Sequence, residues 1–122
     1  MRVNAGSDRI RIIAGRWRGR VIHFPNQPSL RPTPDRVRET LFNWLQPEIE
    51  GARCLDLFAG TGVLGMEALS RGAQSVIAVE RDLRVLRAIR QNARALGASQ
   101  LNIVHADVFK PNDMIICHVY PI

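Results

Sequence analysis

The stretch Cys54-Leu55-Asp56-Leu57-Phe58-Ala59-Gly60-Thr61-Gly62-Val63-Leu64-Gly65 decides the fold. Its first five residues are a short apolar run of the kind that forms a strand covered on both faces. Ala59 to Gly62 then reads as a glycine turn, and Val63 to Arg71 as a helix that Gly72 terminates. Gly60 to Gly65 fits G-x-G-x-x-G, directly after a strand and opening a helix. In that setting glycines permit the turn and a close ligand approach, while the helix N-terminus offers free amides to a negative group. Downstream, Ser75 to Val79 is predicted to be a strand. Leu83, Leu86, Ile89, Ala93 and Leu96 then mark a helix that stops at Gly97, and Leu101 to His105 a third strand. The order βαβαβ predicts an α/β fold, a parallel sheet with helices on its faces. Met114 to Val119 reads as a fourth strand.

Three acids stand at the ends of the three strands: Asp56, Glu80 and Asp107. Glu80 suits a pair of ribose hydroxyls, and Asp107 an adenine amine. Asp56 discriminates between cofactors. A dinucleotide would bring its pyrophosphate close to this carboxylate, and like charges repel strongly at reduced dielectric. S-adenosylmethionine instead brings an ammonium and a sulfonium, which a carboxylate favours, and a carboxylate that the loop amides can hold. The expected cofactor site is therefore Asp56, Phe58, Gly60, Thr61, Gly62, Glu80 and Asp107, with S-adenosylmethionine as ligand. A nicotinamide-dependent oxidoreductase is the weaker alternative, supported by the glycines alone.

Upstream, composition changes. Of 17 basic and 11 acidic residues in the 122-residue chain, nine arginines and three acids fall in residues 1–40, so the whole +6 excess lies there. Arg9 to Gly15 and Arg20 to Phe24 alternate as strands around Arg16-Trp17-Arg18-Gly19, which predicts a basic hairpin. A proline-bearing arm from Pro25 to Pro34 follows. Thr33 is the expected N-cap of a helix whose buried stripe is Val37, Leu41, Trp44 and Leu45 and which Pro47 helps to end. Residues 1–50 thus read as a basic appendage and 51–122 as the cofactor-binding part. Arginine forks bind phosphate bidentately and stack on bases, so Arg16, Trp17, Arg18, Arg20, Arg31, Arg36 and Arg38 are the candidate contacts to a nucleic-acid partner, with core packing the competing role for Trp17.

Other classes are excluded. With 46% apolar and 23% charged residues the composition is that of a globular protein, and no apolar run reaches membrane-spanning length. Cys54 and Cys117 lie far apart and His23, His105 and His118 are scattered, so no disulfide framework or metal site is expected, and a reducing cytoplasm is the simplest setting.

Three motifs together resemble a known family. Leu55-Asp56-Leu57-Phe58-Ala59-Gly60-Thr61-Gly62-Val63-Leu64-Gly65 continues as Met66-Glu67-Ala68-Leu69-Ser70-Arg71-Gly72-Ala73. With Ile13-Ala14-Gly15-Arg16-Trp17-Arg18-Gly19-Arg20 and Arg31-Pro32-Thr33-Pro34-Asp35-Arg36-Val37-Arg38-Glu39, it is similar to the RsmD-type bacterial methyltransferases over about residues 9 to 107. The resemblance implies a Rossmann-like methyltransferase fold and S-adenosylmethionine as donor. It also implies the exocyclic amine of a guanine in 16S ribosomal RNA as acceptor, with the assembling small subunit as partner and Arg31 and Thr33 near the mouth of the site.

One departure stands out. The family's fourth strand ends in (Asp/Asn)-Pro-Pro-(Phe/Tyr), whereas this chain reads Asp113-Met114-Ile115-Ile116-Cys117-His118-Val119-Tyr120-Pro121-Ile122. No catalytic residue is assigned on this basis. Residues from about Val108 onward are expected to be an altered frame or truncated end, leaving an incomplete sheet, an exposed strand edge, marginal stability and no turnover. The alternative function is a noncatalytic cofactor- or RNA-binding fragment.

Overall fold

A computed structural model describes residues 7–27, 30, 33–57, 59–107 and 120–121. The alternation of arginines with apolar residues at the N-terminus forms a hairpin of β1 (Ser7–Arg11) and β2 (Val21–Pro25), antiparallel with Arg9 opposite His23. Helix α1 (Asp35–Ile49) follows. The α/β part is β3 (Arg53–Asp56), α2 (Val63–Ser70), β4 (Ser75–Glu80), α3 (Leu83–Leu96) and β5 (Leu101–His105). A two-residue β6 (Tyr120–Pro121) pairs in parallel with Cys54 and Leu55.

The sheet order is β5-β4-β3-β6 with every pairing parallel. This is the strand order of half a doubly wound nucleotide-binding fold, and it leaves the carboxyl ends of β3, β4 and β5 side by side. The predicted strands and helices from residue 51 to 105 appear within a residue or two of their expected bounds. The expected fourth strand over Met114–Val119 lies outside the described residues.

One continuous cluster of buried apolar side chains runs from Ile12, Trp17, Ile22 and Phe24 of the hairpin region through Phe42 of α1 to Met66, Val76, Ile89 and Leu101. The hairpin and α1 therefore share the core of the sheet. Gly65 shows how close the layers are: a Cβ there would lie 2.9 Å from Val76 Cγ1, so this glycine is needed for α2 to rest on β4. No helix among the described residues is long and apolar enough to cross a membrane.

Helix α1 departs from expectation in three ways. Its N-cap is Pro34, with no side-chain cap, so Thr33 is not the N-cap; the Thr33 carbonyl instead accepts from Arg38 Nε at 3.2 Å. It runs through Pro47 to Ile49, since a proline in the last turn removes a single hydrogen bond near an end that frays anyway. Its buried face is also rotated. Arg38, Phe42 and Ile49 are buried, Leu41 and Leu45 half-buried, and Val37 and Trp44 are 53% and 77% exposed. The rotation follows from Arg38, which turns inward to an acidic partner on α2.

Candidate functional site

The turn between β3 and α2 is built on positive backbone angles, φ 53° at Gly60 and 79° at Gly62, conformations that residues with a Cβ rarely adopt. A Cβ on Gly62 would also come within 3.2 Å of the Ile89 side chain. Ala59 N donates to Val79 O at 3.0 Å and Gly62 N to Ala59 O at 2.8 Å, which pins the loop to the end of β4.

The sheet register aligns the three acids. Asp56 pairs with Ala78, two residues before Glu80, and Glu80 pairs with His105, two residues before Asp107. The carboxylates thus step diagonally across the carboxyl edge, one strand at a time. Asp56 is buried at 2% exposure, while Glu80 and Asp107 are half-buried. Glu80 accepts from Gly60 N at 3.1 Å and from Asp82 N at 2.7 Å. A carboxylate has about four lone-pair sites, so Glu80 both shapes the glycine loop and keeps capacity for hydroxyl donors.

Asp82 completes this edge as N-cap of α3, accepting from Arg84 N at 2.9 Å. Its other oxygen accepts from the Gln27 side chain at 3.1 Å, and this bond, followed by those from the Arg84 and Val85 amides, holds its carboxyl below the ordinary value. Of the expected cofactor residues, Asp56, Gly60, Thr61, Gly62, Glu80 and Asp107 gather at this one edge. Thr61 is buried and its hydroxyl accepts from Val63 N at 3.3 Å. Phe58 lies outside the described residues.

A different carboxylate occupies the other part of α2. Glu67 is fully buried, and both oxygens are saturated. Oε1 accepts from Ile13 N at 2.9 Å and Arg38 Nη1 at 3.1 Å; Oε2 accepts from Ala14 N at 3.1 Å and Arg71 Nε at 3.0 Å. Arg38 also donates to Arg11 O at 3.0 Å and pairs with Asp35. One turn later, Ser70 Oγ donates to Ala14 O at 2.6 Å and accepts from Trp17 N at 3.0 Å, and Ser70 O accepts from Arg16 N at 2.9 Å. Gly15 (φ 87°) passes so near that a Cβ would lie 1.9 Å from Ser70 O.

These bonds correct the RNA-facing set. Arg38 has no solvent exposure and its guanidinium is committed to Glu67, Asp35 and two backbone carbonyls, so it is an internal tie and not a surface contact. Trp17 is 7% exposed and belongs to the core, with Arg16 stacked 4.2 Å over its ring. Arg16, Arg18, Arg20 and Arg36 are exposed, and Arg31 lies outside the described residues. Sequence reasoning passed over Glu67, Ser70, Asn92 and Asp82. The signal for Glu67 was present: a lone carboxylate in an otherwise apolar helix cannot be buried without partners.

The hairpin also has a direction. Arg20 Nη2 donates to Ala95 O at 2.9 Å, the Asn92 side chain pairs with the His23 backbone at 3.0 and 2.6 Å, and Gln27 reaches Asp82. Strand β2 therefore runs antiparallel to α3. Its open end meets the acidic edge, and its tip lies at the opposite edge of the sheet.

Comparison with known proteins agrees with this arrangement. Residues 10–114 match the model of the family described as conserved hypothetical protein 95. The chain is 51% identical over 104 residues to the ribosomal RNA small subunit methyltransferase D of Escherichia coli strain K12, covering 85% of this chain and 52% of that protein. It is 53% identical over 90 residues to the protein of that name from Haemophilus influenzae, covering 74% and 47%. A solved Escherichia coli candidate methyltransferase superposes with a TM-score of 0.76 at 47% identity, covering 82% of this chain and 53% of that one. The chain spans about half the length of the curated relatives it matches. With 105 of its 122 residues inside the family match, a Rossmann-like core and the glycine loop in place, the chain belongs to the conserved hypothetical protein 95 family, whose curated relatives include the small-subunit ribosomal RNA methyltransferases D.

Proposed function

We propose that the carboxyl edge binds S-adenosylmethionine and that the chain serves methylation of the exocyclic amine of a guanine in small-subunit ribosomal RNA, in the cytoplasm. The observation that carries this reading is the diagonal of three carboxylates beside a glycine loop whose turn a Cβ would obstruct. This donor set fits the ligand. Asp56 is an anion where a cationic ammonium and sulfonium gain and a pyrophosphate loses. In the proposed assignment Asp56, Gly60 and Gly62 hold the methionine part with Phe58 and Thr61 alongside, Glu80 the ribose hydroxyls and Asp107 the adenine amine. Bound there, the group supplies an electrophilic methyl on sulfur. Residues 51–122 carry that site and residues 1–50, through Arg16, Arg18, Arg20, Arg31 and Arg36, face the RNA.

The guanine amine is a poor nucleophile because its lone pair is delocalised into the ring. Transfer needs the amine held in line with the methyl and its hydrogens accepted by polar groups. The alternative reading is a module that binds cofactor or RNA without turnover. Isothermal titration with S-adenosylmethionine, repeated in the presence of NAD, tests the cofactor assignment. Binding that NAD leaves unchanged is expected, whereas competition by NAD would overturn it. Methyl incorporation into small-subunit RNA separates the enzyme from the module.

A further inference from the structure

The exposed arginines of the hairpin tip are far from the glycine loop. Gly60–Gly62 stands at the N-terminus of α2, while Ala14, Arg16 and Trp17 are bonded to Ser70 at its last residue, eight residues and about 12 Å along the axis. Along α3 the span from Asp82 to the Arg20 contact at Ala95 is about 20 Å. The tip arginines thus stand at the opposite end of α2 from the glycine loop. On the RNA reading, they would meet a part of the RNA away from that loop.

Beside the tip lies a cavity of about 640 Å³. Arg16, Gln46, Ser70, Arg71, Gln74 and Gln100 supply its polar lining, and no acidic side chain lines it. Its volume is in the range of small-ligand sites, large enough for one nucleotide. Arg16 is held ready at its edge, stacked 4.2 Å over Trp17 and donating to Gln100 Oε1 at 3.4 Å, while its backbone is tied to Ser70 O. Three glutamine amides offer both donors and acceptors, as a nucleobase edge requires, and Arg18 and Arg20 extend the basic surface outside.

We propose that this cavity is a second RNA subsite, which takes one unpaired nucleotide of the substrate, its phosphate on Arg16, at the opposite edge of the sheet from the glycine loop. The proposal rests on the RNA reading above and adds to it a place and a distance. RNA must then extend across the hairpin face to reach both edges.

The test uses the 122-residue chain and fluorescence anisotropy with two labelled single-stranded RNAs, one of about sixteen nucleotides and one trinucleotide. Arg16→Glu is compared with Arg87→Glu, an equal change of charge at an exposed position of α3 outside the cavity. Arg16→Glu is expected to weaken binding of the longer RNA about tenfold or more and to lower the salt slope by about one, with Arg87→Glu producing under a third of that loss. A 4-thiouridine version of the longer RNA is expected to crosslink to the peptide holding Gln74. Equal losses in the two variants, or crosslinks confined to the glycine-loop edge, would overturn the subsite while leaving RNA binding standing. A parent chain that binds neither RNA would overturn both the subsite and the RNA reading.

Discussion

Helix α2 carries acidic chemistry of two kinds, one within its own length and one around its N-terminus. Glu67, inside the helix, is buried, accepts four hydrogen bonds and has both oxygens engaged by arginines. Asp56, Glu80 and Asp107, near the N-terminus, line the sheet edge, and Glu80 accepts from two loop amides. On the proposed reading the same functional group serves structure in one place and a ligand in the other. What separates the two places is position: Glu67 lies inside a helix between two arginines, and the other three stand at the carboxyl edge beside the glycine loop.

The largest effect should come from breaking the tie. Glu67→Ala leaves Arg38 buried with its main anionic partner gone, and a loss of about 3–5 kcal/mol in urea unfolding is expected. Since small domains have only about 5–15 kcal/mol in hand, that loss is a large share of the total. Gly15→Ala attacks the same junction through sterics. With a Cβ forced to 1.9 Å from Ser70 O at φ 87°, a cost of about 3 kcal/mol is expected, and trypsin should cut the hairpin at Arg16 or Arg18 before the rest of the chain. Glu80→Ala works on the other kind of carboxylate. Calorimetric titration should give at least a tenfold weaker Kd for S-adenosylmethionine, about 1.4 kcal/mol, with a smaller loss of stability than Glu67→Ala. Trp44→Ser tests the rotated face of α1: a side chain 77% exposed should change the unfolding free energy by less than about 0.5 kcal/mol, whereas a buried stripe through Trp44 would require several.

The sequence made the α/β half legible because its signals are local. Apolar runs, glycine turns and a helical period decide Arg53 to His105 with little outside help, and acids at strand ends can be read once the strands are known. The N-terminal half is set by long-range pairing, and there local reading misled. Val37 and Trp44 fit a helical stripe, but Glu67, 29 residues beyond Arg38, turns the helix so that an arginine faces inward. Arg38 looked like one more surface arginine for the same reason: its partner is invisible in its neighbourhood. Trp17 points inward because Ser70 holds its backbone against α2. The direction of the hairpin, which puts Arg16 and the glycine loop at opposite edges, depends on Asn92 and Ala95 of α3 and has no signal within residues 1–50.

The most direct test of the central proposal, that Asp56 holds a cofactor, is thermal unfolding of Asp56→Asn beside the parent, each with and without saturating S-adenosylmethionine. The account predicts a ligand-induced rise in the parent's midpoint that the folded variant loses. A folded variant that keeps the parent's full ligand-induced rise would contradict it.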